Sequence, residues 1–352
     1  MLICGLILLF FVVLVDAGHP LWEFSTKIKR AVPFDLNQEI TTTWPAGSVI
    51  YCWESQEARD LLRYHFLQAL NLWYAAGLPE ERFQFHEVPI EDCIRDRRNT
   101  LIIYHQPGSL EFSTTVGKYV GPNSELLPGP IAYFNDQRDP NGKKIGTNTL
   151  PEKIAHEIGH IYGLYHEHQA PFFWRGSPVF KVNCQNIEGF DECTARLTFD
   201  QIWGENGVCH NRHAALEADC VHIAQSLPIN ELYHYIPHPE RGRDRAPQYE
   251  DVDWNSIMLY HSYVATKRDQ AEVTQITLRK VQGGTNGMNF RINIKRAPSQ
   301  GDVQALIQLY DASAQRRLSR LYHDPRSEYH TAFQNLQNFQ VCDWPQPGPS
   351  GG

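Results

Sequence analysis

Several things are missing from this 352-residue chain, and each absence narrows what it can be. There is no block of like charge, and 32 Lys and Arg against 40 Asp and Glu leave a formal net charge of −8. Nothing therefore favours nucleic acid or an anionic membrane surface as a partner. No apolar stretch is long enough to span a bilayer, which takes about 20 residues. No Asn-x-Ser/Thr sequon occurs, so N-glycosylation is not expected. No internal repeat is found, which excludes a repeat array.

What the chain does have starts with an apolar run, Met1 to Val15, that stops at Asp16. It is too short for a spanning helix but suits the apolar core of a signal peptide. Val15 and Ala17 are small residues at −3 and −1 of a cut after Ala17, so residues 1–17 are expected to be removed and the protein secreted. Eight Cys agree with an oxidising compartment. Cys4 would leave with the signal. That leaves Cys52, Cys93, Cys184, Cys193, Cys209, Cys220 and Cys342, an odd count with at least one thiol outside any internal pair.

The most informative stretch is residues 156–167, His-Glu-Ile-Gly-His-Ile-Tyr-Gly-Leu-Tyr-His-Glu. His156 and His160 are four apart, so on a helix both project from one face and reach one metal. Gly163 is the residue type that tolerates the positive φ of a helix end. The chain can turn there and bring His166 back as a third ligand. Three protein ligands leave a fourth position for water, the arrangement of a catalytic rather than a structural zinc site. Glu157 is placed to take a proton from that water. Thr149 and Glu152 form a capping-box pattern with Pro151 in the first turn, and Ile154, Ile158 and Ile161 make an apolar stripe at helical spacing. A helix is predicted here.

The pattern HExxHxxGxxH resembles that of the metzincin zinc peptidases, whose second mark is a downstream Met-turn. Ser256-Ile257-Met258-Leu259-Tyr260 fits that turn. Glu167 directly after the third His, and Tyr260 two past Met258, are similar to the astacin family in particular. Weaker likenesses lie at Trp44 to Tyr51, Phe180 to Ile187 and Ser299 to Tyr310. The resemblance implies an α+β, two-lobed catalytic domain over residues 41–312. A twisted mixed sheet and the zinc helix would form the N-terminal lobe, and a mostly irregular C-terminal lobe would end in a final helix. It also implies zinc on His156, His160 and His166, Glu157 as general base, and Tyr260 as donor to the oxyanion or distant zinc ligand. Met258 would floor the metal, and Glu167 would meet the mature N-terminal amine. Departures are Leu259, where the family has His, and the absence of Cys at the positions of the two usual family disulfides.

Along the chain, residues 18–40 form an N-terminal segment. Lys29-Arg30 before Ala31 reads either as a processing site, making 18–30 a short pro-segment, or as an ordinary basic pair. Ser48 to Trp53, Arg82 to Val88, Thr100 to His105 and Pro130 to Phe134 read as strands. Gln56 to Ala76 reads as a helix with Leu62, Phe66, Ala69, Leu70 and Trp73 on one face. By resemblance, Ile131 to Asn135 would be an edge strand along the cleft, pairing with extended substrate. Surplus chain at about 188–250 holds Cys193, Cys209 and Cys220, with Cys184 just before. These four are expected to form two disulfides bracing a surface insertion, with a lid over the cleft as one role. The alternative is a second metal site among Cys209, His210, His213, Cys220 and His222. Residues 313–352 read as a flexible tail.

The function these features point to is a secreted zinc endopeptidase acting on extended protein or peptide substrate. The rival is a secreted, catalytically inactive binding protein that keeps the fold. Intact Glu157 and all three ligands argue against it.

Overall fold

A computed structural model describes residues 41–107, 112–121, 128–136, 148–229, 246–267, 276–281 and 290–319. The expected signal peptide, the pro-segment, Cys4, Cys342 and most of the expected tail lie outside them. The chain divides into two compact units, residues 1–307 and 308–352.

Four parallel strands carry the first unit's sheet. They are β2 (Ser48–Trp53), β3 (Gln84–Glu87), β4 (Leu101–His105) and β7 (Ile131–Phe134), with the antiparallel β5 (Ser113–Thr114) at one side, while β1 (Thr41–Thr42) and β6 (Lys118–Tyr119) form a separate antiparallel pair. The order is β3-β2-β4-β7-β5. Helices or loops must connect parallel neighbours, and α1 (Gln56–Ala75) is the first such connection. Ser55 caps it, its hydroxyl accepting the Ala58 N–H at 3.1 Å. Its buried residues, Leu62, Phe66, Ala69, Leu70 and Trp73 among them, are those whose spacing predicts the helix.

Here one expectation is corrected. Ile131–Phe134 is not an edge strand, because β7 pairs with β4 on one side and with Ser113–Thr114 on the other. A two-residue strand of small polar residues carries no period that a sequence reading can detect. Among the described residues the edge on that side is β5.

The indole of Trp73 donates to the Ala155 carbonyl at 2.8 Å, and that of Trp44 to the Ile161 carbonyl at 2.8 Å. Both carbonyls belong to α3 (Leu150–Tyr162), the predicted helix, which is thereby pinned against α1 and the start of β2. Phe66, Phe85, Phe134 and Tyr162 fill the space between sheet and helices with edge-on and tilted ring contacts.

Past α3 the described residues are mostly turns and short helices. They include β8 (Phe180–Val182) paired with β9 (Leu278–Lys280), α4 (Phe190–Thr194), α5 (Phe199–Trp203), α6 (Arg212–Glu217) and α7 (Val221–Ser226). The last helix among the described residues, α8 (Gln300–Ser319), runs past Tyr310, with no Gly or Pro between there and Ser319. The molecule is thus of mixed α+β class, with its sheet and the HExxH helix in the N-terminal part and irregular structure with a final helix after it.

The four clustered cysteines form two bridges, Cys184–Cys209 and Cys193–Cys220, as expected. A third, Cys52–Cys93, joins β2 to α2 (Ile90–Arg95). With Cys209 and Cys220 so bonded, the alternative second metal site loses its thiolates. Among the described residues no second group of three His, Cys, Asp or Glu converges.

Candidate metal centre

His156 and His160 lie one turn apart on α3. The helix ends at Gly163 with φ 115° and ψ 14°, the left-handed geometry that glycine adopts without strain. The Gly163 N–H reaches the His160 carbonyl at 2.8 Å, and the Leu164 N–H reaches Gly159 at 2.9 Å. This closure reverses the chain so that His166 returns to the helix face.

The three Nε2 atoms form a nearly equilateral triangle with sides of 3.2, 3.1 and 3.2 Å. Each Nδ1 is already committed to an oxygen that can only accept. His156 donates to the Ile257 carbonyl at 2.7 Å, His160 to the Leu164 carbonyl at 2.6 Å, and His166 to Gln169 Oε1 at 2.9 Å. The protons therefore sit on Nδ1, and the lone pairs sit on Nε2. Burial pushes His156 down to about 4, against the pull of the Ile257 carbonyl, so at neutral pH this ring stays uncharged. Three imidazole lone pairs facing one another at hydrogen-bond distance repel unless a cation lies between them. The donor set fits zinc, and each ligand has the outer acceptor that metal-binding imidazoles use to fix their orientation.

Glu157 is only 2 % exposed, and its Oε2 has no hydrogen-bond partner among the described residues. Burial pushes its carboxyl up to about 8, opposed by Lys153 one turn earlier. Glu157 and His156 share a pocket with Phe112, Leu259, Tyr260 and Lys295. The Tyr260 ring lies 4.1 Å from that of His166 and 6.4 Å from that of His156, centroid to centroid.

Met258 is buried beneath the helix against Gly159, where a Cβ would come within 2.5 Å of the Met258 sulfur. Glu167 joins the zinc loop to the same turn. Its N–H donates to the Met258 carbonyl at 3.0 Å, and its Oε1 accepts from the Asp253 N–H at 3.0 Å. The N-terminal amine assigned to it by resemblance lies outside the described residues.

The structure thus brings together all five predicted site residues, His156, Glu157, His160, His166 and Tyr260. Sequence reading missed Gln169, which follows the third histidine by three and has only that offset to signal it. It also missed Gly159, a glycine inside a helix, which usually marks a close approach. None of the described residues 188–229 lines this pocket.

No protein-family pattern matches the chain, and no curated protein matches its sequence. Solved structures similar to it include high choriolytic enzyme 1, a hatching-enzyme zinc protease from the medaka fish Oryzias latipes. The identity is 12% and the TM-score 0.45, over 80% of this chain and 99% of that one. Myroilysin is similar at 14% identity and a TM-score of 0.36, over 76% of this chain and 95% of that one.

Proposed function

We propose that the chain is a secreted zinc endopeptidase of the astacin type, hydrolysing peptide bonds in extended protein substrates. The observation that carries this reading is the triangle of Nε2 atoms, all deprotonated by the hydrogen bonds at their Nδ1 positions, with the buried Glu157 beside it. Zinc held by His156, His160 and His166 supplies a Lewis acid for the scissile carbonyl and brings water toward ionisation near neutral pH. Glu157 accepts the proton of the attacking water and returns it to the leaving amine. A carboxyl whose proton affinity is raised by burial is suited to both steps. The Tyr260 phenol donates a hydrogen bond to the oxyanion, an interaction that appears only as charge develops. Edge strand β5 offers backbone groups for an extended peptide to pair with. The expected signal peptide and the three disulfides support secretion.

The test is Glu157→Gln. Zinc content should stay at one ion per chain, because Glu157 is not a ligand, while casein cleavage falls by roughly 10²–10⁴. Chelation should abolish the parent's activity. Parent protein that holds zinc but cleaves nothing would instead favour the inactive binding protein.

A further inference from the structure

His156 and His160 are held by a helix, whereas His166 arrives after the chain has left it. What aims its ring is Gln169. The side chain is 3 % exposed and both ends of its carboxamide are occupied. Oε1 accepts from His166 Nδ1 at 2.9 Å, and Nε2 donates to the Gln225 carbonyl at 2.9 Å. That carbonyl lies in the last turn of α7, where carbonyls lack partners within the helix and are free to accept from outside. The neighbouring His168 Nε2 donates to it as well, at 3.3 Å, and the Ile229 N–H donates to the Gln169 carbonyl at 2.9 Å.

The helix carrying Gln225 is too short to stand alone. It is fastened at its start by Cys220, bonded to Cys193, and near its end by the buried Arg212, whose Nη1 donates to the Ala224 carbonyl at 2.5 Å. Cys184, Ile187, Val208, Cys209, Ala215 and Ile223 are among the buried residues of a separate apolar cluster around it. The segment is thus braced by its own bridge and apolar cluster, and among the described residues it meets the loop carrying His166 at His168 and Gln169.

We propose that Gln169 is a positioning residue for the third ligand. The disulfide-bonded segment Cys184–Ile229 is the clamp that holds it, so that the Cys193–Cys220 bridge governs how firmly zinc is kept. This rests on the zinc reading above. The side-chain amide transmits the position of α7 to the imidazole because it is hydrogen-bonded to both. Loss of such an outer partner typically weakens metal binding by about 10–100-fold.

The experiment measures the rate at which zinc passes from the holoprotein to a chromophoric chelator, alongside the absorption bands of the cobalt-substituted protein. Q169L removes both bonds and should release zinc about 10–100-fold faster, with shifted cobalt bands. Q169E keeps an acceptor for His166 but loses the donor to Gln225, and should release zinc faster than the parent, to about the extent that bridge loss does. The paired variant C193S/C220S should speed release in the parent. Added to Q169L or Q169E it should change nothing further, since the link it acts through is already cut. Parental release from Q169L, or multiplying effects of Q169L and bridge loss, would overturn the proposal. Should Q169L fail to fold, the Q169E pair with and without the bridge decides alone: faster release on bridge loss sinks the idea. A parent chain that takes up no zinc at all would refute the metal reading itself, a distinguishable result.

Discussion

Gly159 sits between His156 and His160 inside a helix, where glycine normally costs about 1 kcal/mol against alanine. Its use is contact: a methyl group there would lie 2.5 Å from the Met258 sulfur and 3.1 Å from the Trp73 ring. Gly159→Ala gains helix propensity but forces Met258 and Trp73 apart, and overpacking of this kind costs about 1–3 kcal/mol. The expected outcome is a net loss of about 1–2 kcal/mol in urea unfolding, together with weaker zinc retention as the floor of the site shifts. A more stable variant would mean that Met258 repacks freely. Tyr260 is tested by its hydroxyl alone. Tyr260→Phe keeps the ring against His166 and should leave zinc bound and KM little changed. Turnover should drop by about 10–10³, the range up to one lost oxyanion donor. Unaltered kcat would reduce Tyr260 to packing. At this scale the ligands and Glu157 were legible because metal chemistry imposes fixed spacing. Gln169 was not, because a carboxamide that bridges a ligand to a distant carbonyl leaves no pattern in its own neighbourhood.

Among elements, α1, β2, β4 and α3 could be read within a residue or two at each end, since the helices bury a face at helical spacing behind a cap and the strands are short, largely apolar runs. Strand β5 could not, and the edge of the sheet was misplaced with it. The start of α8 shows how an element's end can serve another element. Asp302 accepts from the Ser299 N–H at 2.9 Å within its own first turn, and also from Ser256 Oγ at 2.6 Å and the Ile257 N–H at 2.8 Å. Ile257 is the residue whose carbonyl orients His156. Burial raises the Asp302 carboxyl above its usual range despite these donors. Removing it leaves a buried N–H and a hydroxyl without their acceptor. Hydrogen bonds to charged groups contribute about 1.5–3 kcal/mol each, partly offset here by relief of the buried charge. Asp302→Ala is expected to lose about 2–3 kcal/mol by thermal unfolding of the zinc-free protein. A smaller change than about 0.5 kcal/mol would show that the turn around Ser256 holds itself.

At the scale of the whole molecule the three bridges divide the work. Cys52–Cys93 closes a loop of sequence separation 41 behind the sheet, packed beside Ile102. Loops of that size are stabilised by about 2–4 kcal/mol through restriction of the unfolded chain. C52S/C93S should therefore lower stability by about that amount while zinc release stays parental, unlike C193S/C220S. Non-reducing peptide maps should recover Cys52 with Cys93, Cys184 with Cys209 and Cys193 with Cys220. A peptide joining Cys184 to Cys52 would contradict the arrangement.

The three imidazoles all fall between His156 and His166, and Leu164 and Gln169, which orient two of them, are close in sequence, while further support comes from Trp73, Gln225 and Ile257–Met258. Ligand convergence thus needs only a local helix and one glycine turn, which form in microseconds. The supporting contacts must wait for long loops to close. On the zinc reading proposed above, an emerging chain would capture its cation at this hairpin before the parallel strands have found their order. The ion then acts as a nucleus around which distant segments assemble, and refolding begun with zinc present should outpace refolding to which zinc is added last.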